Sequence, residues 1–391
     1  MNFTYFNPVK IHFGVNFLDA LNFINERKIL LVTSQGFSKR GITKELQNAL
    51  LRRCVGVIDS ISPNPQLYDL LNLKANLCEF DAIIALGGGS VMDSAKFFAY
   101  NNSSLGNHSA DLAFCHEART QSPLSSCQNA KNHESKTANT RIDLNHNTKL
   151  LPNLSHTAKP IYAIPTTAGT SSELTKWATI WDNATLTKHS LSDEKLYPKA
   201  AFYDANLALS LPRETTIFTA LDALSHACES IWNKNANPIS THFALNAIKI
   251  ILRDLPPLSE NLRSLPLRTS LMQASIYAGL AFSNTQTALA HALSYPLTMK
   301  FGTPHGLACG FSLPLLFDCL PKFSEASAIL SPYKAPLNSL FDTLKISKNP
   351  RDYGLDSALI DEIFATLNAR AKNGIFDLQL VKSRLKNDIC D

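Results

Sequence analysis

Asp222, His226, His291 and His305 supply one carboxylate and three imidazoles in two clusters, a donor set able to grip one divalent ion. In Leu221-Asp222-Ala223-Leu224-Ser225-His226-Ala227 the acid and the imidazole stand four residues apart, which puts both on one helix face. In the second cluster His291 lies on an apolar helical stretch, and His305 follows at the turn Gly302-Thr303-Pro304-His305-Gly306. A histidine on an apolar helix is more often a satisfied core side chain than a ligand, so the four carry weight only together. Nitrogen and carboxylate donors without thiolate suit Fe(II), Zn(II), Mn(II) or Ni(II) rather than a Cys-rich structural zinc. Four protein donors leave room for a substrate only on a metal that expands its coordination, which favours iron, or a zinc taking a fifth ligand.

Such donors need a scaffold, and the chain before them alternates strands with helices. Lys28-Ile29-Leu30-Leu31-Val32-Thr33 is an apolar run leaving through Ser34-Gln35-Gly36, which predicts a buried parallel strand. A helix is expected over Ile42 to Arg53, a strand over Cys54 to Ile58, a helix over Pro65 to Cys78 and a strand over Asp81 to Leu86. Another strand, Pro160 to Pro165, leads into Thr166-Thr167-Ala168-Gly169-Thr170-Ser171-Ser172-Glu173. After about Leu196 long apolar stretches at helical period take over, as in Phe243 to Leu252 and Ser270 to Phe282. This predicts an α/β domain over 1–190 and an all-α domain over 191–391. Between Asn101 and Ala158, nine Asn and eight Ser in 58 residues mark a polar surface insertion. Its five histidines, His108, His116, His133, His146 and His156, have irregular spacing and read as solvated loop residues.

With 391 residues, 45% hydrophobic and 18% charged, the chain has the composition of a globular protein with room for two cores. The net charge of +5 is dispersed, which argues against nucleic-acid or membrane-surface binding. Eight cysteines lack C-x-x-C spacing and no signal-like segment opens the chain, so a reducing cytoplasm is expected. No apolar run reaches the roughly 18 residues that a membrane-spanning helix needs.

Gly87-Gly88-Gly89-Ser90, at a strand end opening a helix, suits an anion: free N–H groups and the helix dipole point at it, and glycines allow close approach. The spacing matches neither G-x-G-x-x-G nor the P-loop, and a tight turn without ligand is the bland alternative. Thr166, Thr167 and Thr170 place hydroxyls on a second loop at a strand C-terminus, where open α/β sheets bind ligands.

Taken in order, Gly87-Gly88-Gly89-Ser90 with Asp93 and Lys96, Pro165-Thr166-Thr167-Ala168-Gly169-Thr170, Asp222 with His226, and His291 with Pro304-His305-Gly306 resemble the iron-dependent (group III) alcohol dehydrogenases from about residue 5 to residue 320. The resemblance implies a nicotinamide cofactor in a cleft between the two domains, with a metal opposite its ring and a small alcohol or aldehyde as substrate. It assigns Asp222, His226, His291 and His305 to an iron, or a zinc; Gly88, Gly89 and Ser90 to the pyrophosphate; Ser34, Gly87, Thr166, Thr167 and Thr170 to the cofactor; Lys188 to the nicotinamide ribose; and Asp93 to the nicotinamide half. A homodimer or larger homo-oligomer is the expected assembly.

Tyr295 stands where many members have a proton-transferring histidine, Ser171 where a glycine is usual, and the polar insertion is foreign to the family core. Ser34 replaces an acidic residue that would select NAD(H), and with Lys39 and Arg40 nearby the balance leans to NADP(H). Segments around Trp177, Trp232 and His291 are similar to a subgroup reducing phosphonoacetaldehyde, for which Lys176 and Lys234 are candidate anion partners. Two rivals remain: a dehydroquinate-synthase-like cyclase, and a non-catalytic binding protein on the same fold.

Overall fold

A computed structural model describes residues 2–100, 158–184 and 187–390 of the chain. Residues 1–100 and 158–391 pack as one compact unit; apart from Ala158, the expected insertion lies outside the described residues.

Six parallel strands form one sheet in the order β1-β8-β5-β4-β2-β3, with β1 at Lys10–Phe13, β2 at Ile29–Thr33, β3 at Cys54–Ile58, β4 at Ala82–Gly87, β5 at Ile161–Pro165 and β8 at Ala200–Tyr203. Strands β2, β4 and β5 are buried at every position, as central strands covered on both faces must be. Alternate residues divide between two cores. Leu31, Ile84 and Ile164 face Phe37 of α1 (Gln35–Lys39) and Leu46 and Leu50 of α2 (Ile42–Leu50). Leu30, Ile83 and Ala163 face Leu70 of α3 (Leu67–Ala75) and Val91, Ala95 and Phe98 of α4 (Gly89–Ala99).

Four strands, β1, β8 and a hairpin pair, are absent from the sequence reading. β8 extends the α/β part past residue 190, because Ala200-Ala201-Phe202-Tyr203 is too short and apolar to show a period, and tertiary pairing with β1 and β5 decides it. Strands β6 (Trp177–Asp182) and β7 (Thr187–Ser192) make an antiparallel hairpin. Ala178 and Ile180 bury one face of β6, while Trp177, Thr179 and Trp181 look into a cavity.

The rest is helical. α5 (Arg213–Ile231), α6 (Pro238–Glu260) and α7 (Leu265–Thr285) pack together around a third core, joined by α8 (Leu289–Phe301), α9 (His305–Gly310) and later helices to Cys390. Among the described residues no helix is long and apolar enough to cross a membrane.

Candidate metal centre and cofactor cleft

Three helices converge on one carboxylate oxygen. Asp222 and His226 project from the same face of α5, His291 from the first turn of α8, and His305 opens α9 after Pro304. The Nε2 atoms of His226, His291 and His305 lie 3.8, 3.5 and 3.8 Å from Asp222 Oδ1. α9 reaches α5 because residue 306 is glycine: a Cβ there would sit 1.9 Å from the carbonyl oxygen of Phe218.

Asp222 and His291 are 2% and 3% exposed, yet Asp222 Oδ1 and His291 Nε2 have no hydrogen-bond partner. Buried polar atoms are rarely left so, and aimed at each other they fit a shared cation. Burial favours the neutral acid at Asp222, but the charges of His226, His291 and His305 outweigh it and hold the carboxyl below its usual range. Burial pushes His226 down to about 3 against the pull of Asp222, leaving the neutral imidazole a metal needs. Burial also opposes protonation of His291 and His305, but Cys309 in both cases, with Glu229 at His291 and Asp222 at His305, raises them. The cluster attracts positive charge, as protons or as a cation.

The sequence reading missed three residues here. Glu229 is fully buried; its Oε2 accepts from Ala288 N at 2.8 Å and lies 2.7 Å from His291 Nδ1, while Oε1 accepts from Ala290 N at 2.6 Å and His291 N at 3.3 Å. One carboxylate thus caps α8 and holds the proton on His291 Nδ1, turning the lone pair of Nε2 toward Asp222. Its signal was visible: Glu229 continues the Asp222, His226 face at the next turn, an acid in an otherwise apolar run. Phe282 of α7 stacks on the His226 ring at 3.9 Å, and that ring stacks on His291 at 4.5 Å. Cys309, one turn after His305, puts Sγ 3.6 Å from His305 Nε2. Burial raises its thiol, but His291 and His305 outweigh this and bring it to about 7.

The cavity running from this cluster along the sheet's C-terminal edge has a volume of about 570 Å³. Gly88, Gly89 and Ser90 line it at the start of α4; Thr166, Thr167 and Thr170 line the facing loop; Ser34 lies at the exit of β2. Gly87 is not in the wall: it ends β4, and a Cβ there would strike Val91 at 2.5 Å. At Gly89 a Cβ would meet Thr170 at 2.6 Å, so the two loops touch because that residue is bare. Asp93 reaches the wall, but its oxygens already accept from Ser172 Oγ at 2.6 Å and Thr179 N at 2.9 Å. Buried Lys96 donates to Ser172 O, Ser172 Oγ, Thr175 Oγ1 and Trp177 O, so this pair fastens α4 to the threonine loop and hairpin. Ser171 takes a left-handed conformation, φ 49°, and its hydroxyl bonds the carbonyl of Ser275 on α7 at 2.7 Å. A residue with a side chain thus occupies a glycine-type conformation, anchored by that bond.

At the metal end, Lys188 on β7 sets its ammonium 3.5 Å above the Tyr295 ring, and that ring stacks on His305 at 6.2 Å. Burial raises the Tyr295 phenol, but Lys188 and His291 outweigh it and the net direction is down. The proposed anion partners are elsewhere: Lys176 pairs with Glu194 at 3.5 Å, Lys234 is exposed, and neither lines the cavity. The cations that do line it are Arg40, Lys188 and Arg370, the last 5.5 Å over the Trp177 ring. Arg370 was invisible in sequence, since only the packing of α8 against the turn at Ala371–Asn373 brings it there.

Residues 8–205 match the model of iron-containing alcohol dehydrogenase, and residues 216–374 match that of the C-terminal part of Fe-containing alcohol dehydrogenases. The chain belongs to the iron-containing alcohol dehydrogenase family. It is 30% identical over 350 residues to the probable alcohol dehydrogenase EutG of Escherichia coli (strain K12), covering 85% of this chain and 79% of that one. It is 28% identical over 325 residues to sulfoacetaldehyde reductase of Bilophila wadsworthia (strain 3_1_6), covering 80% and 74%. Among solved structures, sulfoacetaldehyde reductase from Bifidobacterium kashiwanohense in complex with NAD+ superposes with a TM-score of 0.80 at 23% identity, covering 100% of this chain and 99% of that one. Membership makes the chain an oxidoreductase of the alcohol dehydrogenase and aldehyde reductase type, which disfavours both the cyclase and the non-catalytic reading.

Proposed function

We propose that this protein reduces a small aldehyde carrying an anionic group, or oxidises the corresponding alcohol, with a nicotinamide cofactor in the cavity and a divalent cation, iron in the first instance, held by Asp222, His226, His291 and His305. The observation that carries the reading is the convergence of three Nε2 atoms on Asp222 Oδ1 at one end of a cavity whose wall is the glycine and threonine loops. When bound, the cation supplies Lewis acidity toward a substrate oxygen and the nicotinamide supplies or accepts hydride.

The chain's own residues do the rest. Gly88, Gly89 and Ser90 offer helix N-terminal N–H groups to the pyrophosphate, and Thr166, Thr167 and Thr170 offer hydroxyls to the cofactor. Lys188 takes the nicotinamide ribose; Asp93, already bonded to Ser172 and Thr179, orders the wall beside it. Ser34 together with Arg40 in the wall supports NADP(H). Tyr295, its phenol lowered beneath the Lys188 ammonium, holds the proton exchanged with the substrate oxygen. Trp177, Trp181 and Phe282 keep that end apolar, and Arg370 at the wall receives the substrate's phosphonate or sulfonate.

The test is His226→Ala, followed by elemental analysis and aldehyde-dependent NAD(P)H consumption with added metal. Loss of both bound metal and turnover is expected. Full activity in the variant would refute the assignment, and no aldehyde-dependent oxidation of either cofactor by the metal-loaded wild type would refute the function.

A further inference from the structure

We propose that Cys309 is a fifth protein donor to the cation, supplying a thiolate beside His305. This rests on the reading of Asp222, His226, His291 and His305 as a cation site. Single ligand atoms from Asp222, His291, His305 and Cys309 all lie within 4.8 Å of one another. Five donors bonded at about 2.0–2.3 Å, with angles near 90° and 120°, stand about 2.8–3.8 Å from their neighbours. The Asp222–His291 separation of 3.5 Å, the Asp222–His305 separation of 3.8 Å and the His305–Cys309 separation of 3.6 Å fall in that range.

Placement explains why the sulfur is there. Cys309 lies four residues after His305 on α9, so both face α5 and the cavity end. It is fully buried, and the polar atoms beside it, Asp222 Oδ1 and His291 Nε2, are buried without partners. Cys228 and Cys319, also buried, belong to the apolar helical core and are not in the donor group. A thiolate selects softer ions than carboxylate and imidazole do, so its presence bears on which metal the site keeps.

The experiment loads the full-length protein with cobalt(II), measures cobalt per chain, and records the near-ultraviolet spectrum of wild type and Cys309→Ser. One cobalt per chain with a sulfur-to-cobalt charge-transfer band in wild type, lost in the variant, is the expected result. No cobalt bound by wild type defeats the cation site itself. Cobalt bound without the band, or a band that survives in Cys309→Ser, overturns the role of Cys309 and leaves the Asp/His site standing. Should the variant fail to fold, X-ray absorption of the zinc-loaded wild type decides alone: a sulfur neighbour at about 2.3 Å supports the proposal, and a nitrogen- and oxygen-only shell overturns it.

Discussion

Replacing Glu229 with glutamine preserves shape and removes one charge, and the geometry says what must follow. Oε1 serves Ala290 N and His291 N, and Oε2 serves Ala288 N and His291 Nδ1, so all four groups face an acceptor. A glutamine has one acceptor oxygen. With that oxygen in the Oε1 place, its amide NH2 opposes the Ala288 N–H and can bond His291 Nδ1 only if the ring proton moves to Nε2. The unsatisfied Ala288 N–H costs about 1–3 kcal/mol of stability. The shifted tautomer points a proton at Asp222 and blocks His291 as a ligand, for which loss of about 10–100-fold in metal affinity is expected. At about 1.4 kcal/mol per tenfold, that is about 1.4–2.8 kcal/mol of binding energy. Competition with a metal-indicator chelator reads the affinity, and urea unfolding of the metal-free protein reads the stability separately. Metal affinity equal to wild type in a folded Glu229→Gln protein would refute the tautomer argument.

Three other outcomes are expected. Gly89→Ala gains helix propensity but drives a methyl onto Thr170, an overpacking cost of about 1–3 kcal/mol, so NAD(P)H affinity by fluorescence titration should fall about tenfold or more; unchanged affinity would separate Thr170 from the cofactor. Arg370→Ala should lower kcat/KM for phosphono- and sulfo-aldehydes by about 10–100-fold, a charge-assisted bond being worth about 1.5–3 kcal/mol, while sparing neutral aldehydes; equal loss on both classes would count against anion recognition. Burial opposes ionisation of Glu26, but its backbone N–H, Lys199 and Tyr162 outweigh that and hold the carboxyl below its usual value. A depressed carboxylate contributes stability above its unfolded pKa of about 4.3 and loses it as pH falls through the folded value. Glu26→Gln should therefore flatten that acid limb in denaturation curves, and an unaltered slope would remove Glu26 from the account.

The proposed metal donors Asp222, His226 and His291 were legible because each is an ionisable residue in an apolar segment, where burial without a purpose is costly, and His305 because it follows at a Pro/Gly turn. Central strands such as Ile29–Thr33 and Ala82–Gly87 were legible for the opposite reason, since unbroken apolar runs ending in glycine or serine have few other fates. Glu229 and Cys309 escaped because their significance lies in what α8 and α9 bring against α5. Arg370 lies far from the other wall residues in sequence, and its neighbourhood carries no motif. Strand β8 escaped because four residues cannot display a period, and the hairpin because its aromatic residues read as a motif before they read as a pleat. Lys176 and Lys234 misled through motif position, which carries no information about where a long side chain ends.

Tyr100 and Ala158 form an antiparallel bridge, and Lys159 N donates to the carbonyl of Ala99 at 3.0 Å. The chain therefore departs from the end of α4 and rejoins at the mouth of β5 through one clasped neck. Whatever lies beyond that neck, the crossover from β4 to β5 closes as though the two ends were neighbours. That clasp at Tyr100 and Ala158 holds the two ends of the crossover side by side, so the register of β5 beside β4 is fixed by the described residues on either side of it.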